Sequence, residues 1–354
     1  MLILYVAMKH DYGDPRRGHS FEHWNFYDAL SRMGHDILYF DFMTLLQRRG
    51  RAGMNRLLGE VARAERPALL FSVLFTDEIE KSAMSEISAS GATVTVNWFC
   101  DDHWRFESFS RHWAGCFNWV VTTAQSALAA YAAIGHMNVI KSQWGCNHFV
   151  YRKLDLPQEY DVSFVGQPHG TRRAVIDALR RASLRTSVWG YGWESGRIGQ
   201  EQMIEVFNRS RINLNLSNAW GPSSWPQRAA SIVRRLTGRR EAVTEQIKGR
   251  NFEIPGCGGF VLSGRAEDLD RYYEIETQIA CFEGIDDLIR RARHYLARED
   301  ERARIAEAGH ARTLSEHTYA HRFTEIFDRV GVPHPPLAAA LEGSPARGAT
   351  REIT

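Results

Sequence analysis

The sequence predicts an α/β protein built from two Rossmann-like, doubly wound domains. Short, continuously apolar segments alternate with amphipathic helical segments, which is the pattern of a parallel sheet covered by helices on both faces. The alternation stops over residues 143–160 and then begins again, so two such sets are present. The length of 354 residues also suits two domains better than one.

Six strands and four helices are predicted in the first half. The strands are expected at residues 2–7, 37–40, 68–75, 93–99, 118–122 and 138–142. The helices are expected at about 19–33, 54–64 and 77–88, and in the segment that ends at Ile134. Gly34 is predicted to end the first helix, because glycine is common just after a helix C-terminus.

The second half repeats this organisation after the linker. Strands are expected at 161–165, 187–190, 212–216, 260–262 and 279–282, and helices at 172–182, 200–208, before the Gly-Gly turn and three times more up to about 330. The last stretch is rich in Pro, Gly and Ala, which is typical of a disordered tail. The predicted divisions are a first domain at 1–145, a linker at 146–160, a second domain at 161–315, a helix at 316–332 and the tail at 333–354.

Composition narrows the classes of protein that the chain can represent. The formal net charge of +2 gives no electrostatic reason to expect a nucleic-acid partner. The five cysteines are scattered with no C-x-x-C pair, which is typical of reduced thiols in a cytoplasmic protein. The apolar start lacks a basic leader and predicts a buried strand, and no segment has the length of a transmembrane helix.

Several segments of the second half carry a family resemblance. They are KGRNFEIPGCGGFVLS (248–263), EDLDRYY (267–273), CFEGIDDLIRRARHYL (281–296) and RARIAEAGHARTLSEHTYAHR (302–322). Together with DVSFVGQPHGTRR and SRINLNLSN they resemble the nucleotide-sugar domain of GT-B glycosyltransferases, and most closely the CgeB-like subgroup, named after a spore maturation protein. The resemblance covers about half of the chain, from residue 160 to 322.

The resemblance implies a fold and an activity. The first domain would bind an acceptor and the second a nucleotide-sugar, across a central cleft, with the helix at 316–332 returning to the first domain. The activity would be that of a hexosyltransferase-type enzyme that moves a sugar from a nucleotide-diphosphate sugar, such as a UDP-sugar, to an unidentified glycan, lipid, protein or small molecule. No cofactor and no metal would be needed. A nucleotide-sugar epimerase and a non-catalytic nucleotide-binding or scaffold protein remain alternatives.

Glu253 is the residue that the resemblance places at the ribose of the nucleotide. A carboxylate can accept hydrogen bonds from two hydroxyl groups at once. Lys248 and Arg250 precede it and could neutralise a diphosphate. Glu245 lies eight residues earlier, as in many retaining GT-B enzymes, but the intervening residues, QIKGRNF, do not match the family's usual placement of a glycine near the sugar. Glu253 is therefore favoured over Glu245 as a donor-binding residue. The alternative is that Glu253 is a solvated helix residue and that Gly258 and Gly259 form a C-cap.

Further residues are predicted to contact the nucleotide-sugar. The loop after the strand at 161–165 could cradle phosphate with backbone N–H groups, and the strand at 212–216 ends in polar residues at the same edge. Half-buried polar residues at strand ends are at least as often structural. These additional candidates are Gly166, His169, Gly170, Arg172, Ser217, Asn218, Gly258 and Gly259.

Asp101, Asp102 and His103 follow the fourth predicted strand of the first half. A carboxylate at this position could act as a base on an acceptor hydroxyl, or it could cap the next helix. We expect Asp102 to face the acceptor and Asp101 to cap the helix, with His103 as a second group able to handle protons.

The first loop holds the acceptor-side candidates His10, Gly18 and His19. His19 and His23 have an i, i+4 spacing that suits a metal, but no third ligand has a matching position, so no metal site is predicted.

A basic segment at 220–243 interrupts the alternation of strands and helices. Arginines and apolar residues between 228 and 240 could form an amphipathic helix that contacts a membrane surface or an acidic acceptor. A solvated surface helix is the alternative.

Overall fold

The computed structural model describes residues 1–217, 246–344 and 348–354, which form two compact units. The first unit consists of Met1–Arg152 and Thr313–Thr354, and the second of Lys153–Arg312. The division after Arg152 falls inside the predicted linker, and the chain rejoins the first unit at Thr313, within three residues of the predicted boundary.

Each unit contains one parallel sheet within the described residues. The strands of the first unit are β1 (Leu2–Val6), β2 (Asp36–Phe40), β3 (Leu69–Ser72), β4 (Val94–Phe99), β5 (Trp119–Thr122), β6 (Val139–Lys141) and β12 (Thr350–Glu352). Those of the second are β7 (Tyr160–Val165), β8 (Thr186–Trp189), β9 (Ser210–Asn215), β10 (Val261–Gly264) and β11 (Ala280–Phe282). The orders are β12-β2-β1-β3-β4-β5-β6 and β11-β10-β9-β7-β8.

Helices connect these strands. In the first unit they are α1 (Asp28–Arg32), preceded by a π-helical turn at His23–Tyr27, α2 (Phe42–Glu65), α3 (Lys81–Ala89), α4 (Asp102–Arg105), α5 (Arg111–Trp113) and α6 (Ala127–Ala133). In the second they are α7 (Arg172–Arg181), α8 (Gln200–Arg209), α9 (Arg250–Gly256) and α10 (Gly284–Ala297). They are followed by α11 (Glu299–Glu316), α12 (Tyr319–Val330) and α13 (Leu337–Glu342). No helix in the described ranges is long and apolar enough to span a bilayer.

The apolar strands form the cores of the two units. In the first, Leu4 and Leu70 of the sheet pack with Leu58 of α2. In the second, Leu214 and Leu262 pack with helical residues in the same way. Because helices cover the faces of each sheet, polar side chains collect at the strand ends, and the carboxyl ends are where such sheets bind ligands.

The tail is structured where disorder was predicted. Within 333–354, α13 forms and β12 pairs in parallel with β2, from Thr350 opposite Ile37 to Glu352 opposite Tyr39. Ile353 packs against the core, and Glu352 forms an ion pair with Lys9. The prediction failed because the edge of β2 offers unpaired backbone groups to the tail, and the composition of the tail carries no information about that partner.

Candidate functional site

The loop that follows β7 brings Arg172 to the carboxyl edge of the second sheet. Arg172 begins α7, and its Nη1 donates a hydrogen bond to the carbonyl oxygen of Gln167 at 3.1 Å. Its Nη2 donates to the carbonyl oxygen of Leu216, just beyond β9, at 2.9 Å. The guanidinium carbon lies 5.6 Å from the centre of the Phe164 ring. Arg172 is therefore fixed between the ends of two neighbouring strands.

The same loop contains the predicted residues Gly166, His169 and Gly170. The N–H of Gly166 donates to the carbonyl oxygen of Trp189 at 2.8 Å, and its own carbonyl accepts from Nε1 of Trp193 at 2.7 Å. The backbone of Gly166 thus joins the loops after β7 and β8, and its N–H is not available to a phosphate. Gly170 is exposed, with a φ of 55°. Burial and the neighbouring guanidinium lower the pKa of His169.

Arg250 is the electrostatic neighbour of Arg172. Burial, and then the positive charge of Arg250, lower the pKa of Arg172 to about 10. The Nε atoms of both arginines are buried and lack a hydrogen-bond partner within the described residues. Two like charges with unused donors are stabilised by an anion such as phosphate, which accepts several hydrogen bonds. This pair is the strongest indication of a binding site in the second unit.

Glu253 lies in the first turn of the helix that Arg250 begins. Glu253 is only 2% exposed, and its N–H donates to the carbonyl oxygen of Gly249 at 2.9 Å. The alternative of a solvated helix residue is therefore wrong. Lys248 precedes the helix, and its backbone N–H donates to Oδ1 of Asn251 at 3.0 Å. The three predicted charged residues belong to one short stretch of chain at this edge.

Gly258 and Gly259 lie at the opposite edge of the sheet from the arginines. The N–H of Gly258 donates to the carbonyl oxygen of Pro255 at 2.8 Å, and that of Gly259 to the carbonyl oxygen of Ile254 at 3.0 Å. With a φ of 70°, Gly258 closes the C-terminus of α9, as in the alternative of a glycine C-cap. Their predicted contact with the nucleotide-sugar does not hold, because a turn that precedes a strand lies at the amino edge of a parallel sheet.

Ser217 is fully buried just beyond β9. Its hydroxyl donates to the carbonyl oxygen of Gly264 at 2.9 Å, so it joins two strand ends instead of facing open space. This placement supports the structural alternative for Ser217. Three other predicted features lie outside the described residues: Asn218, Glu245 and the basic segment 220–243.

Two uncharged residues at this edge were missed in the sequence. Asn251 and Ser263 are completely buried, and Nδ2 of Asn251 donates to Oγ of Ser263 at 3.0 Å. The available signal was a serine that ends an otherwise apolar strand, together with an asparagine at a helix start. Such residues match no motif, and only the structure shows that they are buried and must therefore be hydrogen-bonded.

Asp102 is buried inside the first unit. It is 4% exposed, and its Oδ2 accepts a hydrogen bond from the hydroxyl of Tyr131 in α6 at 2.8 Å. Burial raises the pKa of this carboxyl. The prediction that Asp102 faces an acceptor is therefore wrong, because the side chain turns inward against α6.

Asp101 occupies the N-cap position of α4 without capping it through its side chain. Its carbonyl oxygen instead accepts hydrogen bonds from the N–H groups of Trp104 at 3.1 Å and Arg105 at 2.8 Å. The predicted side-chain cap is thus absent at this helix. His103 lies within α4 and is partly buried.

The acceptor-side candidates of the first unit come together beyond the end of β1. The rings of His10 and His19 stack with centres 5.2 Å apart, and those of His19 and His23 with centres 4.0 Å apart. The carbonyl oxygen of Gly18 accepts from the N–H of Asp11 at 3.0 Å, which closes the loop. In the described part of the chain, Nδ1 of His10 and of His19 are buried without a hydrogen-bond partner.

Glu22 is a further carboxyl in this region that was missed in the sequence. Burial raises its pKa, and the charges of Asp11 and Asp101 add to that shift. A carboxyl in such surroundings takes up a proton more easily than one in water. Glu22 belongs to no sequence motif, because the charged residues near it in space come from separate loops. Within the residues that the structure describes, no group of three or more His, Cys, Asp and Glu side chains could hold a metal ion.

A family described as "Glycosyl transferase-like" matches residues 172–328, somewhat under half of the chain. The match begins at Arg172 and includes the helix with Arg250 and Glu253. No curated protein sequence matches the chain at a significant level.

Solved structures resemble the whole chain at low sequence identity. Anabaena Alr3699/HepE, solved in complex with UDP-glucose, has a TM-score of 0.62 at 13% identity, covering 94% of this chain and 99% of that one. Sucrose-phosphate synthase from Thermosynechococcus elongatus has a TM-score of 0.60 at 9% identity, covering 93% and 99%. AviGT4, a glycosyltransferase involved in avilamycin A biosynthesis, has 0.53 at 14%, covering 93% and 97%. These likenesses confirm the predicted fold class of two parallel-sheet α/β domains.

Proposed function

Because the chain has the GT-B glycosyltransferase fold, we propose that it moves a sugar from a nucleotide-diphosphate sugar to an acceptor. The observation that carries the proposal is the pair Arg172 and Arg250 at the carboxyl edge of the second sheet, whose Nε donors are buried and have no hydrogen-bond partner among the residues that the structure describes. The matching family description and the UDP and UDP-glucose complexes of HepE support the same ligand class.

The second unit would hold the donor. Arg172, Arg250 and Lys248 would bind the diphosphate, and Glu253 would accept hydrogen bonds from the ribose hydroxyls. As the bond between the sugar and the diphosphate breaks, negative charge grows on the leaving oxygen, and fixed guanidinium groups stabilise it. This arrangement supplies the positive charge that other enzymes obtain from a metal ion, so we propose a reaction without a metal or other cofactor.

The first unit would hold the acceptor next to His10 and His19. If the anomeric configuration is inverted, a base must accept the proton of the acceptor hydroxyl. We place this role at Glu22 or the imidazoles instead of at Asp102, since Asp102 is buried and bonded to Tyr131. A retaining reaction requires no such base, because the leaving diphosphate can take the proton.

Three finer assignments belong to this proposal: a relationship to CgeB-like enzymes, a hexose as the transferred sugar and a cytoplasmic location. The motifs between residues 248 and 322 support a relationship to CgeB-like enzymes. The UDP-glucose complex of HepE supports a hexose as the sugar that is transferred. The five free cysteines support a reducing compartment such as the cytoplasm.

An epimerase is the main alternative of the same architecture. A structure described as a putative UDP-N-acetylglucosamine 2-epimerase from Listeria monocytogenes has a TM-score of 0.50 at 9% identity, so the fold is compatible with both activities. The family match favours the transferase.

Calorimetry with UDP, GDP, ADP and dTDP, followed by incubation with the sugar derivatives of the nucleotide that binds, tests the proposal. A transferase should bind one diphosphate and release it from the sugar nucleotide faster when a glycan or lipid fraction is present. Interconversion of two sugar nucleotides would instead identify an epimerase. Absence of binding to all four diphosphates would indicate a scaffold protein.

A further inference from the structure

We infer that Asn215, Asn251 and Ser263 form a buried hydrogen-bond triad that positions the nucleotide-binding residues at the start of α9. The inference rests on the proposed function, because it concerns the same site. None of the three residues carries charge, and none is expected to touch the ligand. They are positioning residues.

The triad joins two strand ends to the start of a helix. Nδ2 of Asn215, the last residue of β9, donates to Oδ1 of Asn251 at 2.9 Å and lies 3.1 Å from Oγ of Ser263 in β10. Nδ2 of Asn251 donates to the same Oγ at 3.0 Å. All three side chains are at most 2% exposed, so water does not compete for these hydrogen bonds.

The two atoms at the centre of the triad, Oγ of Ser263 and Oδ1 of Asn251, each make more than one hydrogen bond. Oγ of Ser263 accepts from both asparagines and donates to the carbonyl oxygen of Gly264 at 3.0 Å. Oδ1 of Asn251 accepts from Asn215 and from the backbone N–H of Lys248 at 3.0 Å. A network in which each member orients the next has one favoured arrangement, and a change at one member disturbs the others.

This arrangement fixes the chain that carries the charged residues. The backbone of Lys248 is tied to Asn251, which lies directly after Arg250 and two residues before Glu253. The N–H of Gln246 donates to the carbonyl oxygen of Ser217, which anchors the beginning of the same stretch at 3.1 Å. The stretch of backbone that carries Arg250 is therefore held in place by contacts that the arginine does not make itself.

A second buried serine in the same sheet provides a matched control. Oγ of Ser163 in β7 donates to Oδ1 of Asn213 in β9 at 3.0 Å, and both residues are at most 1% exposed. Nδ2 of Asn213 donates to the carbonyl oxygen of Phe207 at 3.0 Å, away from the start of α9. Ser163 and Ser263 are thus the same residue type, equally buried, on strands that flank β9, but only Ser263 is bonded to α9.

The test compares Ser263→Ala with Ser163→Ala in the full chain. For each variant, urea unfolding gives the free energy of unfolding and calorimetry gives Kd for UDP, GDP, ADP and dTDP. We expect both variants to lose stability, Ser263→Ala to weaken binding of the preferred diphosphate about tenfold or more, and Ser163→Ala to change it less than twofold. If Ser263→Ala does not fold, Ser263→Cys keeps the volume with a weaker hydrogen-bonding group, and the same difference is expected.

Equal changes in Kd for the two serine variants, or an unchanged Kd in both, would overturn the inference while the proposed function stands. Failure of the wild-type protein to bind any of the four diphosphates would overturn the proposed function, and the inference with it.

Discussion

At the scale of single residues, the proposed donor site depends on two arginines that come from distant parts of the chain. Arg172 follows β7 and Arg250 precedes β10, and burial together with the positive charge of Arg250 lowers the pKa of Arg172. Within the described residues, the Nε of each arginine is buried without a hydrogen-bond partner, whereas buried charged groups are usually paired. Unused donors on a fixed cation are consequently evidence for a ligand.

Arg172→Ala should therefore weaken nucleoside diphosphate binding by at least about tenfold, since a hydrogen bond to a charged group contributes about 1.5–3 kcal/mol. Calorimetry with the preferred diphosphate measures the change in Kd. Arg173→Ala is the control, because Arg173 is exposed on the same helix and contacts Gly192 and Trp193. A similar loss in both variants would show that the charge of the helix matters and the position of Arg172 does not.

Asp102 leads to a different expectation, because its carboxylate is bonded to Tyr131 and has little contact with solvent. Asp102→Asn should lower the free energy of unfolding by about 1–3 kcal/mol, and it should change kcat by less than about threefold. Tyr131→Phe removes the same hydrogen bond and should resemble it in both measurements. A fall in kcat of about 10²-fold or more with unchanged stability would restore Asp102 as a base.

At the scale of secondary structure elements, the C-terminal strand β12 completes the first sheet. It covers the edge of β2, and its hydrogen bonds continue on either side, where Ile37 N–H donates to Ala349 at 2.8 Å and Ile353 N–H donates to Tyr39 at 2.9 Å. Glu352 reaches Lys9, next to His10 in the acceptor-side loop. The tail therefore protects a sheet edge and supports a loop of the candidate site.

Deletion of residues 348–354 should lower the melting temperature and promote association, because an uncovered edge strand pairs readily with other chains. The Kd for nucleoside diphosphate should stay within about twofold of the wild-type value, because the proposed nucleotide site is built from the second unit and changes at distant sites act nearly independently. Thermal unfolding, light scattering and calorimetry measure the three quantities. Glu352→Gln is a milder companion that removes only the ion pair with Lys9. An unchanged melting temperature after the deletion would mean that β12 does not stabilise the sheet.

At the scale of the whole molecule, the two units have different proposed roles: the second binds the donor and the first binds the acceptor. In the proposed reaction, side chains of the second unit supply the positive charge that stabilises the leaving diphosphate. For this reason, release of the diphosphate from the sugar nucleotide should continue at a similar rate in excess EDTA. The rate with added Mg²⁺ or Mn²⁺ is the comparison, and strict dependence on either ion would contradict a mechanism based on Arg172 and Arg250.

The sequence by itself determined the fold class, the strands of both sheets other than β12, and the stretch of chain that carries Lys248, Arg250 and Glu253. These features follow from local patterns, because apolar runs and helical periodicity reflect burial of neighbouring residues. The spacing of motif residues can likewise be recognised in the sequence without knowledge of the tertiary contacts.

Only the tertiary structure decided which side chains meet. It paired Arg172 with Arg250, turned Asp102 toward Tyr131, placed Gly258 at the edge away from the site and added β12 to the sheet. Each of these outcomes depends on residues that are far apart in the chain. A strand or a loop has the same local propensity whether its polar groups face a ligand or a neighbouring strand, so local pattern could not distinguish them.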